Sequence, residues 1–154
     1  MDKGYLRKFR EILRLFDREL FFQNVSSCCG GVTLAQCHTL LEIENNEKIT
    51  VTELAGNLLL DKSTTSRTVE SLVRSGLVER NIPSDNRRIT TLNLTNTGKD
   101  TCNDIKWNNE KFLEDSLLQL SENEKKELIR LFDKITTNMI QLRKNSSGNY
   151  GKMC

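Results

Sequence analysis

A run of hydroxyl and basic side chains that begins at position 62 contains the residue types that recognise nucleic acids. Serine and threonine hydroxyls form hydrogen bonds with phosphates or base edges, and an arginine guanidinium can bind O6 and N7 of guanine together. Large apolar groups are absent from the predicted outer face, as a surface that enters a DNA groove requires. We therefore predict DNA contacts at Lys62, Ser63, Thr64, Ser66 and Arg67.

A second basic group lies further along the chain, where Arg87 and Arg88 follow Asp85. An arginine on a thin loop can reach the minor groove, whose negative potential attracts it. We expect Asp85 to hold one of these arginines through a bidentate ion pair. The formal net charge is only +2, with 23 basic and 21 acidic residues. The positive charge that binds DNA must therefore be concentrated in one part of the surface. Each of these residues alone is more typical of ordinary solvated surface.

Three of the five cysteines form a candidate metal site. Cys28 and Cys29 lie in a Ser/Gly-rich loop, and Cys37 lies one turn into the helix predicted after it. A helix N-terminus lowers the pKa of a thiol, and thiolates prefer soft ions such as Cu(I), Zn²⁺ or a trivalent arsenic-like centre. Two other interpretations stay open: the thiols sense oxidation, or Cys37 is a small core residue and the loop cysteines have no chemical role.

Other functional classes are disfavoured by the sequence. Cys37 and His38 are neighbours on a predicted helix, so their side chains point apart and cannot form a catalytic pair. No glycine-rich loop of the Walker or Rossmann kind is present to hold a phosphate. The N-terminal segment has charges throughout, unlike a signal peptide, and no apolar run approaches the roughly 20 residues that span a bilayer. We predict a cytoplasmic protein without enzymatic activity, required cofactor or membrane association.

The elements that must position these residues are mainly helical. Capping boxes begin helices after Thr33, Thr50 and Ser121. Asp61 is a favourable N-cap for a further helix, and Gly76 stands where the glycine that ends this helix belongs. Apolar spacing predicts additional helices over 5–22 and from 97 onward.

The hydrophobic period changes after Gly76. Segments 77–80 and 89–95 are β-branched and roughly alternating, and the turn-forming residues 81–86 lie between them. This pattern predicts a two-stranded hairpin, so the fold class is mainly α with a small β-wing (α+β).

The order of elements from 50 to 94 is helix, tight turn, helix and hairpin. In a helix-turn-helix the first helix braces the second, whose N-terminal residues enter the major groove. The run at 62–67 begins this second helix, and the two wing arginines lie at the hairpin tip. The order therefore predicts a winged helix-turn-helix.

Four short segments combine into a specific pattern: 60–67 (LDKSTTSR), 72–80 (LVRSGLVER), 85–88 (DNRR) and 94–98 (LTNTG). The pattern resembles the MarR family of bacterial transcription regulators, and the resemblance covers nearly the whole chain. It implies a single MarR-like chain, 1–154, with a winged helix-turn-helix lobe at 33–95. It also implies N- and C-terminal dimerisation helices, at 1–27 and 97–145, and a homodimer bound to double-stranded, palindromic promoter DNA.

The resemblance further implies recognition contacts at Ser63, Thr64, Ser66 and Arg67 and wing contacts at Asp85, Arg87 and Arg88. Asn86 departs from the family pattern, in which an aspartate is common at this position. Members of the family are commonly released from DNA by a small ligand or by cysteine oxidation. Their ligand pocket usually lies between the dimer helices and the DNA-binding lobe.

Large apolar side chains in the terminal helices independently indicate a dimer: Phe9, Phe16, Phe112, Phe132 and Met139. Two-fold symmetry matches two half-sites one helical turn apart, about 34–36 Å; the alternative is a monomeric core. The sequence thus predicts a sequence-specific repressor whose DNA binding is released by a thiophilic metal or metalloid. The alternatives are control by an organic ligand or by cysteine oxidation, and a winged helix that binds protein instead of DNA.

Overall fold

The computed structural model describes residues 2–23, 31–82 and 89–145. Contacts divide the chain into two compact units, Met1–Glu110 and Lys111–Cys154. The described elements, in chain order, are α1 (Lys3–Gln23), α2 (Leu34–Asn45), β1 (Ile49–Thr50), α3 (Val51–Leu58), α4 (Lys62–Arg74), β2 (Val78–Asn81), β3 (Thr91–Leu94), α5 (Asn96–Ser116) and α6 (Glu122–Asn145).

The three strands form one antiparallel sheet in the order β1-β3-β2. The predicted hairpin is confirmed as β2 and β3, in which Val78 pairs with Leu94 and Arg80 pairs with Leu92. β1 adds to the other edge of β3, with Ile49 opposite Leu92. The sequence does not predict β1, because two residues are too few to show the alternation of a strand.

The starts of α2, α3 and α6 confirm the predicted capping boxes. At α3 the Thr50 hydroxyl accepts a hydrogen bond from the Glu53 N–H at 3.3 Å, and the Glu53 carboxylate accepts one from the Thr50 N–H at 2.9 Å. The same reciprocal bonds begin α2 and α6, between Thr33 and Gln36 and between Ser121 and Glu124. Each box satisfies two N–H groups that a helix start otherwise leaves without partners.

The core of the winged lobe lies between α2, α3, α4 and the sheet. Leu40 of α2, Leu54 of α3 and Leu72 of α4 are completely buried and belong to one cluster. Leu92 of β3 and Ile105 of α5 complete the same cluster. Burial of a leucine side chain contributes roughly 1.5–3 kcal/mol, so this cluster holds α4 in a fixed orientation.

The start of α5 closes tightly against the end of α4. The Thr95 hydroxyl donates to the Gly76 carbonyl at 2.6 Å and accepts from the Gly98 N–H at 3.0 Å. The Thr95 N–H donates to the Leu77 carbonyl at 3.1 Å. A β-carbon on Gly98 would overlap the Leu77 carbonyl oxygen, so this approach requires glycine. The segment between α4 and α5 is therefore anchored at both ends.

The helices α1 and α6 have no buried residue and carry large exposed apolar side chains. On α1 these include Ile12, Leu13, Leu15, Phe16, Phe21 and Phe22. On α6 they include Ile129, Leu131, Phe132, Ile135, Met139 and Leu142. Within the described ranges, no helix is long and apolar enough to cross a membrane.

Candidate DNA-binding surface

A tight turn joins α3 to α4 and forms the helix-turn-helix. Leu59 takes the left-handed conformation, with φ 58° and ψ 35°, directly after α3 ends. The Leu60 N–H then reaches back to the Ala55 carbonyl at 3.0 Å, which closes α3. Asp61 caps α4 one residue later. The predicted order of helix, tight turn and helix is confirmed.

The helix α4 divides into a buried face and an open face. Thr65, Val69 and Leu72 are buried at helical spacing and fix α4 to the rest of the lobe. The α4 residues predicted to contact DNA lie outside this buried set: Ser66 is half-buried, and Lys62, Ser63, Thr64 and Arg67 are exposed. The open start of α4 is therefore polar and accessible to a ligand.

Lys62 and Arg67 supply positive charge at the open face. Neither takes part in an ion pair with any other described residue. Two turns beyond Arg67, by contrast, Arg74 lies 3.8 Å from the Glu70 carboxylate, which also pairs with Arg80 of β2 at 3.1 Å. These exposed pairs contribute little to stability, but they occupy Arg74 and Arg80, which lie far from the N-terminal end of α4. Arg67 is the arginine of α4 that is positioned for an external acceptor.

Asp61 organises the N-terminal end of α4, residues 61–64, which form the tip of this helix. Its Oδ1 atom accepts hydrogen bonds from the Ser63 hydroxyl at 2.6 Å and from the Thr64 N–H at 2.8 Å. Its Oδ2 atom accepts one from the Thr64 hydroxyl at 2.6 Å. The Ser63 hydroxyl, followed by the Thr64 hydroxyl and N–H, holds the pKa of Asp61 well below its ordinary range, so the carboxylate is ionised at neutral pH. The sequence predicts Asp61 as an N-cap, but it does not reveal that both hydroxyls donate to it.

The Gln36 side chain connects the start of α2 to α4 by a hydrogen bond. The Gln36 amide donates from Nε2 to the Ser71 hydroxyl at 3.0 Å. Its Oε1 atom accepts from the Thr33 N–H at 2.8 Å as part of the capping box. The sequence signals the capping box but not the bond to Ser71, because that bond depends on how two distant segments pack.

The predicted wing contacts Asp85, Arg87 and Arg88 lie outside the described residues. The flanking strands are described, with β2 ending at Asn81 and β3 beginning at Thr91. The contacts of the wing itself stay predictions.

The candidate metal site is described only in part, because Cys28 and Cys29 lie outside the described residues. Cys37 is 2% exposed and belongs to the core cluster, as expected for a small core residue. Among the side chains that the structure describes, no group of three or more His, Cys, Asp or Glu could hold a metal ion. Cys102 is completely buried, and burial, with a smaller effect of the Glu44 carboxylate, raises the pKa of its thiol to about 11.

The geometry defines the class of protein. A brace helix, a second helix with a polar open start, and a hairpin paired to a short third strand form a winged helix-turn-helix, which is a DNA-binding architecture. The fold is mainly helical with a small antiparallel sheet, as the sequence predicts.

Comparison with known proteins shows which members of this class the chain resembles. Residues 32–90 match the model of the MarR family. The uncharacterised HTH-type transcriptional regulator YdgJ of Bacillus subtilis (strain 168) is 23% identical over 111 residues, which cover 72% of this chain and 68% of that protein. A MarR family protein from Bacillus stearothermophilus superposes with a TM-score of 0.83 at 21% identity, covering 91% of this chain and 99% of that chain. A mutant of S. aureus MepR bound to an oligodeoxyribonucleotide superposes with a TM-score of 0.59 at 20% identity, covering 90% and 99%.

The winged lobe is thus similar to that of the MarR family, and the chain is a DNA-binding transcriptional regulator of this type rather than an enzyme. MarR regulators need no cofactor.

Proposed function

We propose that this regulator is a homodimeric, cytoplasmic repressor that binds palindromic promoter DNA. In this proposal α4 enters the major groove and the tip of the hairpin follows the minor groove. The contacting residues are Lys62, Ser63, Thr64, Ser66 and Arg67 on α4, with Asp85, Arg87 and Arg88 in the wing. The observation that carries the proposal is Arg67, exposed and without an ion pair to any described residue, on a helix whose other face is fixed in the core.

Arg67→Ala tests the base contact directly. The ligand is DNA from upstream of the protein's own gene, shortened by footprinting to the protected site. Loss of a bidentate arginine–guanine contact should raise Kd roughly 5- to 150-fold and relax the preference at one base position. The measurement is equilibrium binding by fluorescence anisotropy at fixed salt, since affinity for DNA depends on salt.

Arg74→Ala is the matched control, because it removes the same residue type from the same helix. Its guanidinium lies beside Glu70 and two turns beyond Arg67, so we expect a Kd within about twofold of wild type. Equal losses in both variants, or no loss in Arg67→Ala, would contradict a direct base contact.

Phosphate contacts should behave differently from base contacts. Lys62→Ala and Arg87→Ala should weaken binding to all sequences alike and lower the salt dependence by about one counterion each. A loss confined to one base pair in Arg87→Ala would instead show that the wing reads bases.

The dimer part of the proposal is supported by the apolar side chains that α1 and α6 leave exposed, among them Phe21 and Met139. Many large apolar side chains exposed on one helix are typical of a protein interface. We expect sedimentation equilibrium to give a dimer and titration to give two chains per palindrome. A monomer that binds a single half-site would contradict this part.

For the effector we propose a thiophilic metal or metalloid at Cys28, Cys29 and Cys37. Cys37 supports this proposal because it follows Gln36, whose amide bonds to Ser71 of α4. A displacement of this turn therefore has a direct connection to the DNA-binding helix. Since Cys37 is buried, the proposal requires its thiol to leave the core when the ion binds, whereas a purely structural role keeps it there.

The effector is tested by titrating the reduced protein–operator complex with arsenite, Zn²⁺, Cu(I) and peroxide. The Cys28→Ser/Cys29→Ser variant and the Cys37→Ala variant are titrated separately, so that a core defect is distinguished from a lost ligand. Release by one ion in wild type only supports the metal site. Release by peroxide alone supports oxidation sensing. No release by any agent contradicts the cysteine site and leaves control by an organic ligand or by no ligand.

A further inference from the structure

The Asp61 carboxylate determines the direction in which two hydroxyl groups donate. A hydroxyl has a single proton, and those of Ser63 and Thr64 are both directed at Asp61, each at 2.6 Å. An ionised carboxylate only accepts hydrogen bonds, so it cannot reverse either bond. The outer sides of both hydroxyls therefore present lone pairs.

An acceptor surface of this kind excludes most of the groups on DNA. Phosphate oxygens, guanine O6 and N7, and thymine O4 are themselves acceptors, and the charge of Asp61 repels phosphate. The donors in the major groove are the N6 amino group of adenine and the N4 amino group of cytosine. While they are held by Asp61, Ser63 and Thr64 can form hydrogen bonds only with these amino groups.

We propose that Asp61 is a specificity-determining residue, which holds Ser63 and Thr64 as acceptors so that the base facing the tip of α4 is adenine or cytosine. This inference rests on the proposed placement of α4 in the major groove and adds a base preference to it. Arg67 lies one turn beyond Ser63 on the same side of α4 and has only donors. Ser63 and Thr64 thus recognise hydrogen-bond donors on a base, whereas Arg67 recognises acceptors.

The first test removes the amino group from the DNA. Selection from a library of randomised half-sites should enrich adenine or cytosine at the base facing the tip. That base is then replaced by an analogue that lacks only the amino group, purine for adenine or 2-pyrimidinone for cytosine. Wild-type Kd should rise about tenfold. The Ser63→Ala/Thr64→Val variant, which keeps the Asp61 cap, should bind both DNAs equally.

The second test reverses the polarity at the protein. Asp61→Asn retains the N-cap, since asparagine caps a helix about as well as aspartate. In this variant the asparagine NH₂ group replaces Oδ2 and donates to the Thr64 hydroxyl. The Thr64 hydroxyl then directs its own proton outward. We expect the ratio of the Kd for carbonyl-bearing bases to the Kd for amino-bearing bases to fall about tenfold, so that the preference moves toward guanine or thymine. The base facing Arg67 should be selected as in wild type.

Glu53→Gln is the matched control for charge. It removes one negative charge from the start of α3, and glutamine also serves in a capping box. Its base preference should equal that of wild type, and thermal unfolding by circular dichroism compares the folding of all variants.

The outcomes separate this inference from the proposed function. An unchanged preference in Asp61→Asn, or an amino-group deletion that leaves wild-type Kd unaltered, would overturn the role of Asp61 while Arg67→Ala still loses affinity. A wild-type protein that selects no sequence, with Arg67→Ala binding equally well, would overturn both.

Discussion

The winged lobe contains two helix starts that use hydroxyl groups for different purposes. At α5 the Thr95 hydroxyl donates to Gly76 and accepts from Gly98, so both of its roles are taken by the backbone. At α4 the hydroxyls of Ser63 and Thr64 donate to Asp61, and their acceptor sides face away from the core. A hydroxyl bonded on both sides holds the fold together, whereas one bonded only as a donor stays available for recognition.

The largest effect on stability is expected from Gly98→Ala, which changes the start of α5. A β-carbon at Gly98 would meet the backbone oxygen of Leu77, which cannot rotate away. The start of α5 must then move, and we expect the free energy of unfolding to fall by about 3 kcal/mol. Urea unfolding at one fixed protein concentration measures it, because a dimer's apparent stability depends on concentration.

Gly56→Ala is the control for this prediction, since it makes the same change in α3. A β-carbon at Gly56 has nothing within 4 Å, and alanine in a helix is roughly 0.5–1 kcal/mol more favourable than glycine. We expect Gly56→Ala to stabilise the lobe. Similar changes in both variants would mean that the contact with Leu77 does not govern α5.

The two helix starts should also respond differently to low pH, because the carboxyl group of Asp61 titrates and the hydroxyl of Thr95 does not. The hydrogen bonds to Asp61 lower its pKa in the folded state, so its stabilising effect is complete above the ordinary carboxyl pKa of about 4. The effect is lost progressively as the pH falls from there toward the lowered pKa. The difference in urea midpoint between wild type and Asp61→Asn should be constant from pH 7 to 5 and should shrink by pH 3. A difference that stays constant down to pH 3 would contradict this.

The smallest effect is expected at the turn that leads into α4. Leu59 is 64% exposed and has a positive φ of 58°, a conformation that costs a non-glycine residue roughly 1–2 kcal/mol. After α4 the chain uses Gly76 for the corresponding left-handed position. Leu59→Gly should stabilise the lobe by up to about 1 kcal/mol, since glycine's greater freedom in the unfolded chain offsets part of the gain. A lower urea midpoint would show that the Leu59 side chain has a packing role.

The features that the sequence predicts correctly depend on residues close together in the chain. Thr50 and Glu53 form a capping box three residues apart, and the cap at Asp61 acts on the next turn. The buried spacing of Thr65, Val69 and Leu72 likewise follows from the period of a helix. Local chemistry and periodicity were sufficient for the helices of the lobe and for its hairpin.

The features that the sequence does not predict depend on distant segments or on rotamers. The pairing of Ile49 with Leu92 requires the finished sheet, and the bond from Gln36 to Ser71 requires α2 to pack on α4. The direction of the Ser63 proton depends on a side-chain rotamer that residue spacing does not specify. The base preference proposed for the tip therefore needs coordinates, while the existence of a DNA-binding helix does not.

The burial of Cys102 has a practical consequence for measuring motion. With no exposed surface and a pKa of about 11, its thiol reacts with an alkylating reagent at neutral pH only when α5 separates from the core. In a variant without the other cysteines, the ratio of its labelling rate to that of an unfolded peptide gives the fraction of molecules in the open state. The same residue, labelled with and without operator DNA, would report whether binding at the tip of α4 slows the separation of α5 from the core.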